Sequence, residues 1–196
     1  IRQHYPEQLI IADAKRGDIG NTSKMYARAF YENFKVDALT VAPYMGSDSV
    51  LPFLEYSDKW VILLALTSNQ GAQDFQMLHT GEETCLFEQV LQTALSWEGA
   101  DHIMFVVGAT QSNLMERVRA VAPNAFLLVP GVGAQGGSLE AVAEHAMTSD
   151  CGLIVNSSRG IIYAGNDERF ASAAAQAASD LARQMERTLI DKGIID

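Results

Sequence analysis

The chain has 196 residues, 48% hydrophobic and 19% charged, with a formal net charge of −10. That composition excludes a disordered chain, and no apolar run reaches the roughly 18 residues a membrane-spanning helix needs. The acidic balance offers no basic stripe for nucleic acid, so any anionic ligand must be held by local groups.

The opening IRQHYPEQ lacks the charged-then-apolar layout of a secretory signal and reads as the tail of a helix with a turn at Pro6; a cytoplasmic protein is expected. Residues 9–14 are the first predicted strand. Alternation puts Leu9, Ile11, Asp13 and Lys15 on one side and Ile10, Ala12 and Ala14 on the other. One face of a buried strand therefore ends in an acid and a base. Gly17 allows a turn, Asp18 follows, and Gly20-Asn21-Thr22 supplies turn and cap chemistry for a helix over 23–34. That helix is expected to carry Met25, Ala29 and Phe30 toward a core.

A strand over 36–42 is stopped by Pro43, and Ser47 or Asp48 caps a short helix to Tyr56. The continuous apolar run 60–66 predicts a strand buried on both faces. The polar stretch 67–81, TSNQGAQDFQMLHTG, has no clean periodicity and suits a lid or binding loop. Helices over 82–97, 111–121, 138–147 and 167–191 then alternate with strands over 102–107, 125–129 and 151–156. Glu82 and Glu83 read as first-turn acids, Met115 and Met185 as core filler, and His102 as a satisfied strand-edge residue. Cys85 and Cys151 have neither disulfide-framework nor zinc spacing and read as core thiols.

The unbroken alternation predicts one α/β domain over 1–196 with a parallel sheet. Six units fit an open doubly wound sheet or part of a (β/α)8 TIM barrel; no strand is followed by the dinucleotide-binding G-x-G-x-x-G. The segments PGVGAQGG (130–137) and NSSRG (156–160) follow the last two strands. Gly133, Gly136 and Gly160 let backbone N–H groups converge on an anion. A helix N-terminus at Ser138 adds positive potential, Gln135 an amide and Arg159 a forked set of donors. Tight βα turns would use the same glycines. Barrel phosphate sites follow strands seven and eight, and on that count the first strand here is the third and the first two βα units are absent.

Asp13, Lys15 and Asp18 have two readings: a surface ion pair beside a helix cap, or an acid–base site. A reaction that builds up negative charge and then quenches it requires a fixed cation and a proton donor in one place, and a lysine between carboxylates supplies both.

Taken together, DAKRGDIGNT (13–22), VAPYMG (41–46), PGVGAQGG and SSRGI (157–161) resemble the orotidine 5'-monophosphate decarboxylase family, in its longer bacterial branch. The resemblance implies a (β/α)8 barrel acting as a homodimer. It implies conversion of orotidine monophosphate to uridine monophosphate and carbon dioxide in pyrimidine synthesis, with no metal and no cofactor. Asp13 would lie near the substrate carboxylate, and Lys15 would protonate carbon 6 of the pyrimidine. Asp18 and Thr22 would act across the dimer interface, Thr22 on the ribose. Ser68 would bind the pyrimidine edge, and Gln135 and Arg159 the phosphate. The family's second lysine, at the end of the second strand, and its ribose-binding aspartate, after the first, are expected to fall ahead of Ile1. Rival readings are a magnesium-dependent sugar-phosphate decarboxylase or aldolase of the same barrel superfamily, and a non-catalytic nucleotide-phosphate binding module.

Overall fold

The computed structural model describes residues 1–133 and 136–196, which fall into two compact units. The first comprises Ile1–Leu66 and Gly71–Val106. It holds β1 (Ile11–Arg16), α1 (Gly20–Arg28), β2 (Ala38–Val41), α2 (Ser47–Leu54), β3 (Trp60–Leu66), α3 (Ala72–Phe75), α4 (Leu86–Leu95) and, up to Val106, β4 (Ile103–Val107). Its strands lie in chain order. β1 pairs with β2 and β2 with β3, both parallel, Leu39 facing Ala12 on one side and Val61 on the other. Phe53, Ile62, Leu63, Phe87, Leu91 and Phe105 are fully buried; each such side chain contributes roughly 1.5–3 kcal/mol by leaving water.

Local chemistry moves several boundaries. The first helix begins at Gly20, inside the segment expected to cap it, and its cap residue Ile19 offers no side-chain acceptor. Its buried stripe is Ser23 and Ala27, continued by Tyr31 in the wider helical turn Ala29–Asn33 that follows, which leaves Met25 on the opposite face and 55% exposed. Glu82 and Glu83 precede α4; Glu88 accepts the Cys85 N–H at 2.8 Å in their place. The polar stretch after β3 contains the short helix α3. His102 ends a single turn of tighter helix, packs its ring at a tilt against Trp60 with centroids 5.3 Å apart and leaves its buried Nδ1 without a partner.

Asp37 anchors the start of the sheet, accepting from Arg2 at 2.5 Å and from the Ile10 N–H at 2.8 Å. Burial alone would raise its pKa, but the Arg2 guanidinium and the Ile10 N–H more than offset it and hold the carboxyl below the ordinary aspartate range. A lowered folded-state pKa gives stability that is present above the unfolded value and lost as pH falls through the folded one. Asp37→Asn is therefore expected to lower the unfolding midpoint at neutral pH, with the two proteins converging below about pH 4. Parallel curves from neutral to acid would refute this.

The second unit comprises Thr67–Gln70 and Val107–Asp196. It contains α5 (Met115–Val121), β5 (Leu127–Pro130), α6 (Leu139–Ala146), β6 (Leu153–Asn156), α7 (Arg159–Ile162) and α8 (Phe170–Asp191). β5 and β6 are parallel, with Val129 opposite Val155. Met115, Val118, Leu127, Val129 and Val142 form the buried centre. The Arg119 guanidinium donates to the carbonyls of Ala125, Ala146 and Gly152 at 2.6–2.9 Å, tying α5 to the start of β5 and the end of α6. Burial lowers its pKa to about 10, so it remains charged at neutral pH. Cys85 is buried as expected, whereas Cys151 is half-buried in a left-handed turn with φ 68°. Among the described residues, no helix is long and apolar enough to cross a membrane.

Candidate active site

In the first unit, two of the candidate acid–base residues, Asp13 and Lys15, meet at the carboxyl end of β1 through a bulge. The β1–β2 register runs regularly to Ala12 and Leu39, then resumes at Arg16 and Val41, so four steps along β1 match two along β2. Within the irregularity Lys15 takes φ 47°, a left-handed conformation that is uncommon for a residue with a side chain. Simple alternation thus does not place Asp13 and Lys15. The bulge does, and it brings Lys15 Nζ onto Asp13 Oδ1 as a hydrogen-bonded ion pair. Their side chains stay 51% and 63% exposed, so a ligand can reach both. Such an exposed pair adds little stability.

A third residue, Thr40 of β2, joins them. Its hydroxyl lies 3.0 Å from Asp13 Oδ1 and 2.9 Å from the Lys15 backbone nitrogen. Thr40 was not singled out from the sequence, although a hydroxyl in the otherwise apolar strand ALTV is a signal, since a buried polar group requires partners. Asp18 is half-buried and its carboxylate accepts the Ile19 N–H at 2.8 Å; Thr22 is exposed on the first turn of α1.

In the second unit, Ser68 is held by close packing. A Cβ added at Gly108 would lie 2.7 Å from both the Ser68 backbone nitrogen and its Cβ, so only glycine allows that approach. Thr110 Oγ1 also donates to the Ser68 carbonyl at 3.3 Å. Gly108→Ala is expected to cost about 1–3 kcal/mol through overpacking, read as a lowered denaturation midpoint; an unchanged midpoint would show that the loop yields freely.

The loops after β5 and β6 line a cavity of about 250 Å³ whose wall includes Gly133, Gly137, Ser138, Ser157 and Gly160. Gly133 and Gly136 have φ 79° and 88°, and the Gly133 N–H donates to the Gly137 carbonyl at 2.9 Å. Ser138 caps α6 by accepting the Ala141 N–H. Glu140 also lines the cavity, but its charge is directed to Ser138 and Gln184, whose hydrogen bonds, the Ser138 hydroxyl foremost, hold its carboxyl below the ordinary glutamate range. Arg159 is exposed and opens α7, a short helix within the segment expected to be a loop. Gln135 lies outside the described residues.

The model of the orotidine 5'-phosphate decarboxylase / HUMPS family matches residues 1–174. The chain belongs to that family. It is 60% identical over 195 residues to an orotidine 5'-phosphate decarboxylase of Porphyromonas gingivalis, covering 100% of this chain and 71% of that one. A solved Leishmania donovani UMP synthase matches with TM-score 0.78 and 40% identity, over 88% of this chain and 38% of that one. The solved OMP decarboxylase of the same organism gives 0.75 and 39%, over 85% and 64%. The chain therefore spans about seven tenths of the bacterial relative and less than two thirds of either solved protein. These orotidine 5'-phosphate decarboxylase relatives agree with an α/β fold of the TIM-barrel type and its parallel strand pairs. In the first unit the candidate residues Asp13 and Lys15 lie late in β1, beside Thr40 of β2; in the second, Gly133 and Arg159 follow the carboxyl ends of β5 and β6. Barrel enzymes keep their chemistry at that end of the strands.

Proposed function

We propose that this protein decarboxylates orotidine monophosphate to uridine monophosphate, with Lys15 as the proton donor. The observation that supports the reading most directly is the ammonium of Lys15 held against the Asp13 carboxylate at an exposed strand end. In this mechanism the bond from carbon 6 to the carboxylate breaks, carbon dioxide leaves and the electron pair remains on carbon 6. The Lys15 ammonium lies beside that developing charge and then gives up a proton to it; water returns the proton to the amine. Asp13 keeps the ammonium in place. Set against the substrate's own carboxylate, it disfavours the ground state more than the transition state.

Ser68 binds the pyrimidine edge, and Arg159, Gln135 and the backbone around Gly133, Gly136 and Gly160 take the phosphate. Asp18 and Thr22 reach the site of a second copy, which makes the homodimer the working unit. On this reading the protein is cytoplasmic, and the six strands among the described residues are the third to eighth of a (β/α)8 barrel.

The test is loss of orotidine monophosphate absorbance with a chelator present. Turnover is expected. Turnover only after magnesium is added would point to the sugar-phosphate branch of the superfamily, and tight nucleotide binding with no turnover in either condition would leave a binding module.

A further inference from the structure

We propose that Thr40 is a positioning residue for the acid–base pair, a role that rests on the decarboxylase reading of Asp13 and Lys15. Its hydroxyl is fully buried within β2, whose four residues are all buried. A threonine hydroxyl has one proton to give and two lone pairs to receive. Here it receives the Lys15 backbone N–H at 2.9 Å and stands 3.0 Å from Asp13 Oδ1, with the Ala12 carbonyl farther off at 3.4 Å. Because Asp13 is the nearer acceptor, the proton goes to the carboxylate.

Both contacts act where the strand has lost its regular ladder. Between Ala12 and Arg16 the β1–β2 register shifts, and there the Lys15 N–H donates to a side chain. Lys15 also has φ 47°, and a residue held in that region needs surrounding contacts that over-determine it. Thr40 supplies one such contact at the backbone of the lysine and another at the carboxylate its ammonium binds. One buried hydroxyl thus couples the direction of the Lys15 stem to the orientation of Asp13. The same Asp13 oxygen receives both Lys15 Nζ and Thr40 Oγ1, so a change at Thr40 alters the geometry of the ion pair directly.

The experiment compares the parent protein with Thr40→Val, Thr40→Ser and Thr40→Ala, recording decarboxylation kinetics, the Kd for uridine monophosphate and the thermal melt. Valine keeps the shape and removes the hydroxyl. It is expected to lower kcat about 10- to 100-fold, the range for small misplacement of reacting groups. Binding of uridine monophosphate should stay within about threefold, and serine should recover most of the lost rate. Should the valine variant fail to melt cooperatively, the serine and alanine variants decide, because they differ by the hydroxyl alone. A kcat ratio of ten or more between them supports the role, and a ratio near one overturns it. Equal loss of kcat and of nucleotide affinity would also overturn it, as a purely structural contribution. Absence of turnover in the parent removes the decarboxylase reading itself, whereas turnover in the parent with an unaltered valine variant removes only Thr40.

Discussion

Lys15→Ala is expected to reduce turnover of orotidine monophosphate by roughly 10⁴-fold or more while uridine monophosphate still binds within a few-fold of the parent. The size follows from the two tasks placed on one amine. A fixed charge beside a developing anion and a positioned proton donor are each worth about 10²–10⁴ in rate. Uridine monophosphate is the right binding probe because it lacks the carboxylate that the exposed Asp13 would repel once its counter-charge is gone. Lys15→Arg separates the tasks further. It retains the positive charge but holds its protons too tightly to donate at neutral pH, so it too should be slow while binding nucleotide. A Lys15→Ala protein that kept its turnover would remove Lys15 from the chemistry, and a fall in affinity as large as the fall in rate would mean that the lysine binds the nucleotide.

How far the sequence foretells this arrangement depends on the range of the forces involved. β3 is legible to the residue because an unbroken apolar run has one meaning in a parallel sheet, burial on both faces. β2 is shorter than its apolar pattern predicts, since strand ends are set by neighbouring ladders. Asp13 and Lys15 were legible as a pair, but for an incomplete reason: strand alternation predicts them side by side, whereas a bulge with a left-handed lysine brings them together. Such a bulge depends on how β1 registers against β2, which is not near in sequence. The capping box of Cys85 and Glu88 is not legible because cysteine is not a usual cap residue, whereas Glu82 and Glu83 have the pattern of first-turn acids. The demand for glycine at Gly108 is likewise invisible in one dimension, arising only from the backbone that crosses it at Ser68.

Arg159→Ala is expected to weaken binding of uridine monophosphate about 100-fold and leave uridine itself nearly unchanged. Arg159 opens α7 directly after β6, is exposed, and precedes Gly160 on the wall of the cavity that Gly133 and Gly137 also line. A guanidinium there can meet two phosphate oxygens at once, and charge-assisted hydrogen bonds contribute about 1.5–3 kcal/mol each after solvent exchange. Loss of about 2.7 kcal/mol corresponds to two powers of ten in Kd. Arg159→Lys should fall between, because the point charge survives while the forked geometry is lost. The contrast between nucleotide and nucleoside gives the test its force. A cavity deformed by the substitution would weaken both ligands together, and that result would transfer Arg159 from phosphate recognition to the support of the loop.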